Sequence, residues 1–242
     1  VQKKLSEIKS DFINNMTHEF KTPIATISLA VDALRNEKVQ ANPEKMAYFS
    51  GIIKDENIRM NKHVETILQA AHMDKEELEL HLVPLHLHDI IKGAMDNHQL
   101  QLKDKNGQVI LHLNADNDVI EADEIHFSNL ISNLIDNARV HSGGRPTVHV
   151  QLADEDEPIG NIWIVVEDNG EGLIDGESEK IFERFSRGAA AGKRFGQEGA
   201  GLGLALALEH ITLHGGRIWA ENRQDGIVGA RFIVEIAIEV PA

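Results

Sequence analysis

The 242-residue chain contains no cysteine. That excludes disulfides and thiolate-held metals, and it fits a reducing compartment. No apolar run is long enough to span a bilayer, and no signal-peptide pattern follows Val1. Aromatic residues are scarce at 5%, which disfavours a platform for stacking single-stranded bases. Positive charge is also scarce: 24 Lys and Arg stand against 39 Asp and Glu, a formal net charge of −15. Binding to nucleic acid through phosphate neutralisation is therefore not expected. No internal repeat or low-complexity tract is present. What remains, 42% hydrophobic and 26% charged, is the composition of an ordinary soluble protein with one large or two modest domains. The opening KKLSEIKS reads as the middle of a helix, so the expectation is a piece of something longer.

Residues Phe12–Pro23, FINNMTHEFKTP, are the stretch on which the rest is organised. Leu5, Ile8, Phe12, Ile24, Ile27, Val31 and Leu34 recur at helical spacing, which predicts one long helix over 1–36. On it His18 and Thr22 lie one turn apart on a shared face, and Glu19 is about 100° around the axis. Pro23 cannot donate to the carbonyl of Glu19, so a kink is expected beside the histidine. Asn42-Pro43 signals a second helix start. Met46, Phe49, Ile53, Met60, Val64, Ile67 and Ala71 then carry its stripe to about residue 74. Two long helices joined by a short Asn-rich turn make an antiparallel hairpin. One hairpin cannot hide both stripes, and either a second copy in a four-helix bundle or the second half of the chain must cover them.

Beyond Leu80–Pro84 the pattern changes to alternating strands and helices, indicating an α/β sandwich. Val83, Leu85 and Leu87 alternate as a strand, with Asp89 as the cap of a helix to about Leu102. Val109–Leu113 and Val119–Ala122 read as strands, and Asp123 as the cap of a helix to about Val140. Thr147–Leu152 and Ile162–Glu167 are further strands. Leu202–His214 reads as a helix stopped by Gly215 and Gly216, and Arg217–Glu221 and Ala230–Ile238 complete the sheet.

Three short motifs in this half can carry chemistry. Asn133 and Asn137 are i and i+4 on one helix face, and two amide oxygens suit a hard cation such as magnesium that keeps several waters. The same pair can equally be solvated surface. Asp168, with Gly170 and Gly172, follows the apolar strand IWIVV. Its carboxylate accepts only, and so can take a proton from an exocyclic amine such as adenine's, while the glycines allow close approach to a planar ring. An ordinary Asp-Asn-Gly turn has the same letters. Gly199, Gly201 and Gly203 open the last helix, where free N–H groups and the helix dipole make an anion site. This is neither a Walker A loop nor a dinucleotide fingerprint.

Taken together and in order, these motifs identify a resemblance to sensor histidine kinases of two-component systems. FINNMTHEFKTP resembles their H-box. The three glycine- and asparagine-bearing motifs resemble the N, G1 and G2 boxes of the GHKL (Bergerat) ATP-binding fold shared with Hsp90-type ATPases, gyrase B and MutL. IFERF at Ile181–Phe185 resembles the F-box, and Ser186–Glu198 resembles a mobile ATP lid. The resemblance implies a helical dimerisation and phosphotransfer domain over 1–78, pairing as a dimeric four-helix bundle. A GHKL α/β sandwich over 79–242 follows. It implies His18 as phosphoacceptor from ATP, Glu19 as the group that orients its ring and takes its proton, and magnesium held by Asn133 and Asn137. Asp168 would read adenine, Gly199, Gly201 and Gly203 would line the phosphates, and Arg187 would contact the γ-phosphate. Lys193 and Arg194 would add charge to the lid. Thr22 would position water in dephosphorylating a response regulator, or else pack the helix. The implied partners are a second copy of the chain and a response-regulator receiver domain, docking near Ile27, Val31 and Leu34. The implied setting is the cytoplasmic part of a bacterial inner-membrane sensor.

The sequence departs from the family at the N-box, where Val140 and His141 replace the usual Lys-Tyr or Lys-His. Arg139 sits one place earlier, about 100° away on the helix. An ATP-binding scaffold without kinase activity is the rival this suggests. A protein- or DNA-directed ATPase of the same fold is a second, opposed by the H-box and the acidity. The other histidines, including His81, His86, His88 and His214, read as surface or turn residues.

Overall fold

The computed structural model describes residues 17, 20–73, 80–104, 106–142, 146–154, 160–184, 186 and 201–238. The chain forms two compact units, Val1–Glu76 and Glu77–Ala242.

In the first unit residues 20–34 are helical (α1), and the helix runs through Pro23. The expected turn at 36–42 is itself partly helical. Asn36 caps a four-residue helix, α2 (Glu37–Gln40), by accepting the N–H of Lys38. Asn42 then accepts the N–H of Lys45 at 3.1 Å, and Pro43 begins the 31-residue α3 (Pro43–Met73), where its missing donor costs nothing. Among the residues whose side chains are described, only Pro23 and Ala30 of this unit are buried. Ile24, Leu29, Val31, Met46, Tyr48, Ile58 and Val64 are exposed, Leu29 at 71%.

The second unit begins with β1 (Val83–His86), followed by α4 (Leu87–Asp104), β2 (Gln108–Leu113), β3 (Val119–Ala122) and α5 (Glu124–His141). Leu87 is thus the first residue of a helix rather than the end of a strand, and Asp89 lies in its first turn instead of capping it. Leu87 is also fully buried, as a helix start tucked onto the core. β4 (Thr147–Asp154), β5 (Asn161–Glu167), a 3₁₀ turn (Lys180–Phe182), α6 (Gly203–Leu213), β6 (Arg217–Asn222) and β7 (Ala230–Ala237) complete the unit. β1 and β3 pair antiparallel as a two-stranded sheet. The main sheet runs β2-β4-β5-β7-β6, with β2 and β4 parallel and the other neighbours antiparallel.

Alternation on the strands sends Val148, Val150 and Leu152 of β4, and Ile162, Ile164 and Val166 of β5, into the core. There they join Leu87, Ile91 and Met95 of α4, the apolar stripe of α5 from Phe127 to Ala138, and Ala207 and Ile211 of α6. The result is a two-layer α/β sandwich. On the other face Trp163 and Trp219 meet edge to face at 5.8 Å, with the Arg217 guanidinium over Trp219. α6 ends in a Schellman motif: Gly215 has φ +73°, its N–H donates to Thr212 O, and the N–H of Gly216 donates to Ile211 O.

A polar seam joins α5 to α6. Asp123 accepts the N–H groups of Ile125 and His126 as N-cap, and its second oxygen accepts the N–H of His81. Its own N–H donates to His214 Nε2 at 3.0 Å, and His214 Nδ1 donates to the His210 carbonyl. His214 stands in the turn after α6, as expected, and is half-buried there by its bond to Asp123. His126 and His210 share one hydrogen bond between their Nδ1 atoms at 2.8 Å. Burial of His210, with His126 and His214 beside it, lowers its pKa to about 4.

Two outcomes follow. Asp123→Ala removes three acceptor contacts and is expected to destabilise the fold by about 1–2 kcal/mol, seen as a lower urea midpoint with an unchanged m-value. His210 takes its proton near pH 6.5 when unfolded but only near 4 when folded. Between those values the unfolded chain binds more protons, so stability falls as pH falls, by at most about 1.4 kcal/mol per pH unit. Urea titrations at several pH values across that window should show a shallower pH slope for His210→Gln than for the wild type.

Candidate functional site: a buried carboxylate and an uncapped helix N-terminus

Asp168 ends the apolar strand β5 and is 1% exposed. Its Oδ1 accepts the N–H groups of Gly170 at 2.8 Å and Ala230 at 3.1 Å. Its Oδ2 is buried with no hydrogen-bond partner. Burial pushes the carboxyl pKa up, and the two N–H donors, His141 and Arg223 pull against that rise. A buried acceptor left bare is costly unless something completes it, so this oxygen is the natural partner for an N–H from outside the chain.

The surrounding glycines are required by space. A Cβ on Gly170 would sit 2.4 Å from the carbonyl oxygen of His141, and one on Gly172, at φ +77°, would sit 2.6 Å from Asn222 Oδ1. Gly170 bridges to Ser142 and Asn169 Oδ1 accepts the N–H of Thr147, so the loop after β5 is stitched to the end of α5.

α5 carries Asn133 and Asn137, both partly buried, while Leu130, Leu134 and Ala138 of the same helix are fully buried. Asn133 Nδ2 is buried without a partner, and a Cβ placed on Gly203 would lie 3.8 Å from Asn133 Oδ1. The asparagine face of α5 therefore meets the N-terminus of α6. There Leu202 occupies the N-cap position and makes no side-chain cap, which leaves first-turn N–H groups for an anion. Gly201, at φ +66°, makes the turn into the helix. Phe182 of the 3₁₀ turn is anchored edge to face on Phe232 at 6.5 Å, and Arg184 pairs with Glu209 of α6.

Arg139 is not available to a phosphate, because it pairs with Asp136 one turn back at 3.3 Å. Thr22 is exposed on α1. His18, Glu19, Phe185, Arg187, Lys193, Arg194 and Gly199 lie outside the described residues. Reading the sequence missed Gly229 and Ala230. A Cβ on Gly229 would sit 2.0 Å from the Asp168 carbonyl oxygen, and the Ala230 N–H holds the carboxylate. A Gly immediately before the last strand was the only hint.

Two family descriptions match the chain: the His Kinase A (phospho-acceptor) domain over residues 8–76, and the histidine kinase-, DNA gyrase B- and HSP90-like ATPase over residues 122–240. Sensor protein RprX of Bacteroides fragilis is 38% identical over 98% of this chain and 45% of its own length. Sensor histidine kinase WalK of Bacillus subtilis is 29% identical over 91% of this chain and 36% of its own. The chain thus spans less than half the length of these two relatives. Among solved structures, histidine kinase ThkA in complex with response regulator protein TrrA aligns with a TM-score of 0.70 at 23% identity, over 98% of this chain and 64% of that one. Full-length ShkA in complex with AMPPNP aligns at 0.66 and 20% identity, over 96% of this chain and 47% of that one. The two domain matches, in this order on one chain, place it in the sensor histidine kinase family.

Proposed function

We propose that this chain is the kinase core of a two-component sensor: it phosphorylates His18 from Mg-ATP and passes the phosphoryl group to an aspartate of a response regulator. The observation that carries the reading is the bare Oδ2 of Asp168, a buried acceptor in a glycine-lined loop joined to the helix that bears Asn133 and Asn137. The exocyclic amine of adenine would donate to it. The uncapped N-terminus of α6 would meet the phosphates, with Gly199, Gly201 and Gly203 giving their oxygens room. Asn133 and Asn137 fit a magnesium ion through two amide oxygens on adjacent turns, and bound magnesium supplies charge neutralisation at the transferring phosphate. Arg187 would add a further positive contact there.

His18 would attack as neutral imidazole, the form with a free ring-nitrogen lone pair. Glu19 would hold the ring and accept its proton as the N–P bond forms and the bond from the γ-phosphorus to the bridging oxygen breaks, releasing ADP. Thr22, exposed one turn along, would orient water for dephosphorylating the regulator. The uncovered apolar residues of α1 and α3 support pairing of two copies as a four-helix bundle, and Ile27, Val31 and Leu34 are candidates for regulator docking. The whole protein would place this region on the cytoplasmic side of a bacterial inner membrane, with its sensor elsewhere. RprX and WalK are named as sensors, which agrees with that placement.

Incubation with γ-labelled ATP and magnesium should yield acid-labile label on the wild type and none on His18→Gln or Asn137→Ala. Label that survives His18→Gln would point to another acceptor. Nucleotide binding without label on the wild type would favour the silent scaffold suggested by Val140, His141 and the engaged Arg139. Asp168→Asn replaces the acceptor with an amide whose nitrogen donates, and should weaken ATP binding about 10–100-fold in a titration with a fluorescent nucleotide.

A further inference from the structure

The end of β6 grips the backbone of the Asp168 loop through two side chains that no motif singled out. Asn222 makes a two-point contact with Leu173. Its Oδ1 accepts the Leu173 N–H at 2.6 Å, and its Nδ2 donates to the Leu173 carbonyl at 3.0 Å. A side chain at Gly172 would collide with that same Oδ1, so loop and asparagine fit only as they are.

Arg223, with a side chain 2% exposed, sits under the other end of the loop. Its Nη1 donates to the Asp168 carbonyl oxygen at 3.1 Å. Its remaining donors engage Asp225 and approach Glu167. The Arg223 N–H donates to the Gly229 carbonyl, closing the turn that presents the Ala230 N–H to Asp168 Oδ1. One fork thus ties the strand end, the β6–β7 turn and the carboxylate's own donor into a single unit.

We propose that Asn222 and Arg223 are positioning residues for the nucleotide base, holding the Asp168–Leu173 backbone so that Oδ2 meets an amine N–H and adenine is preferred over guanine. The inference rests on the reading of Asp168 as the adenine acceptor. Guanine presents a carbonyl oxygen where adenine presents its amine, and an acceptor fixed in place repels that oxygen. An acceptor free to swing aside discriminates less. A purely structural role is a poor account of Arg223. Glu167 keeps Arg231 as a partner at 3.4 Å, Asp225 is half-exposed, and Asp168 loses the nearby charge but keeps its two N–H donors, so removing the guanidinium leaves no acid wholly without a partner.

The test is displacement of a fluorescent ATP analogue by ATP and by GTP, with magnesium. It compares the wild-type chain with Asn222→Ala, Arg223→Met, Arg223→Lys and Asp168→Asn, and each melting temperature is taken without nucleotide. Arg223→Met and Asn222→Ala are expected to bind ATP about tenfold or more weakly and to bring the ATP-to-GTP ratio toward one. Arg223→Lys, which keeps charge but not the fork, should fall between. If Asn222→Ala does not fold, the ratios of the two Arg223 variants decide. A wild-type preference lost in Asp168→Asn but kept in Arg223→Met that melts as the wild type does overturns the clamp alone. A wild type that does not distinguish ATP from GTP overturns the reading of Asp168 and this inference with it.

Discussion

A carboxylate taken out of water at the end of a central strand is the constraint around which the second unit is arranged. Asp168 would be expensive to bury alone. Two backbone N–H groups, from Gly170 and Ala230, satisfy one oxygen, and the other is kept bare. Everything close to it follows from that economy of donors. Gly170 must pass under the His141 carbonyl and Gly229 must lie against the Asp168 backbone, because neither approach leaves room for a side chain. Two donors keep the group tolerable in the fold without completing it, and the bare second oxygen is what supports the proposed role in recognition.

The α5 helix is the second element on which this depends. It is buried along its apolar stripe, and its N-cap is tied by Asp123 to His81 and His214. Its last residues bridge to the Asp168 loop. A helix held at both ends and along its length presents Asn133 and Asn137 with little freedom, the condition for positioning phosphates rather than merely attracting them. The chain's strong negative charge gives no general attraction for a polyanion. On the proposed reading, affinity for ATP would come from local features instead: oriented amides, the α6 N-terminus and a cation held there.

The helical hairpin answers a different problem. Its described side chains are almost all at least partly exposed, including large apolar ones. A 31-residue helix reaches about 46 Å, and large apolar side chains along it, Met46, Tyr48, Ile58 and Val64, are exposed. That uncovered apolar surface is what the proposed second copy would cover.

Much of this was legible in the residues alone. Alternation in VHVQL and the unbroken apolar run IWIVV marked strands that the structure contains, and Asp123, Asn42-Pro43 and Gly215 marked helix ends, because capping and hydrophobic patterning are local physics. The motif order located Asn133, Asp168 and Gly203 for the same reason: each needs only its neighbours' letters. What the local pattern could not reach depended on distant partners. Leu87 continues the strand alternation yet starts a helix, because the core takes it as the first residue of α4. His214 reads as a turn residue yet accepts from Asp123, 91 positions away. The grip of Asn222 and Arg223 on the Asp168 loop exists only because β6 pairs with β7, and no spacing announces it. Sequence determined the elements, their ends and the chemistry each could offer. Tertiary structure alone decided which oxygen of Asp168 is left bare, since that depends on which donors the folded sheet brings to the other.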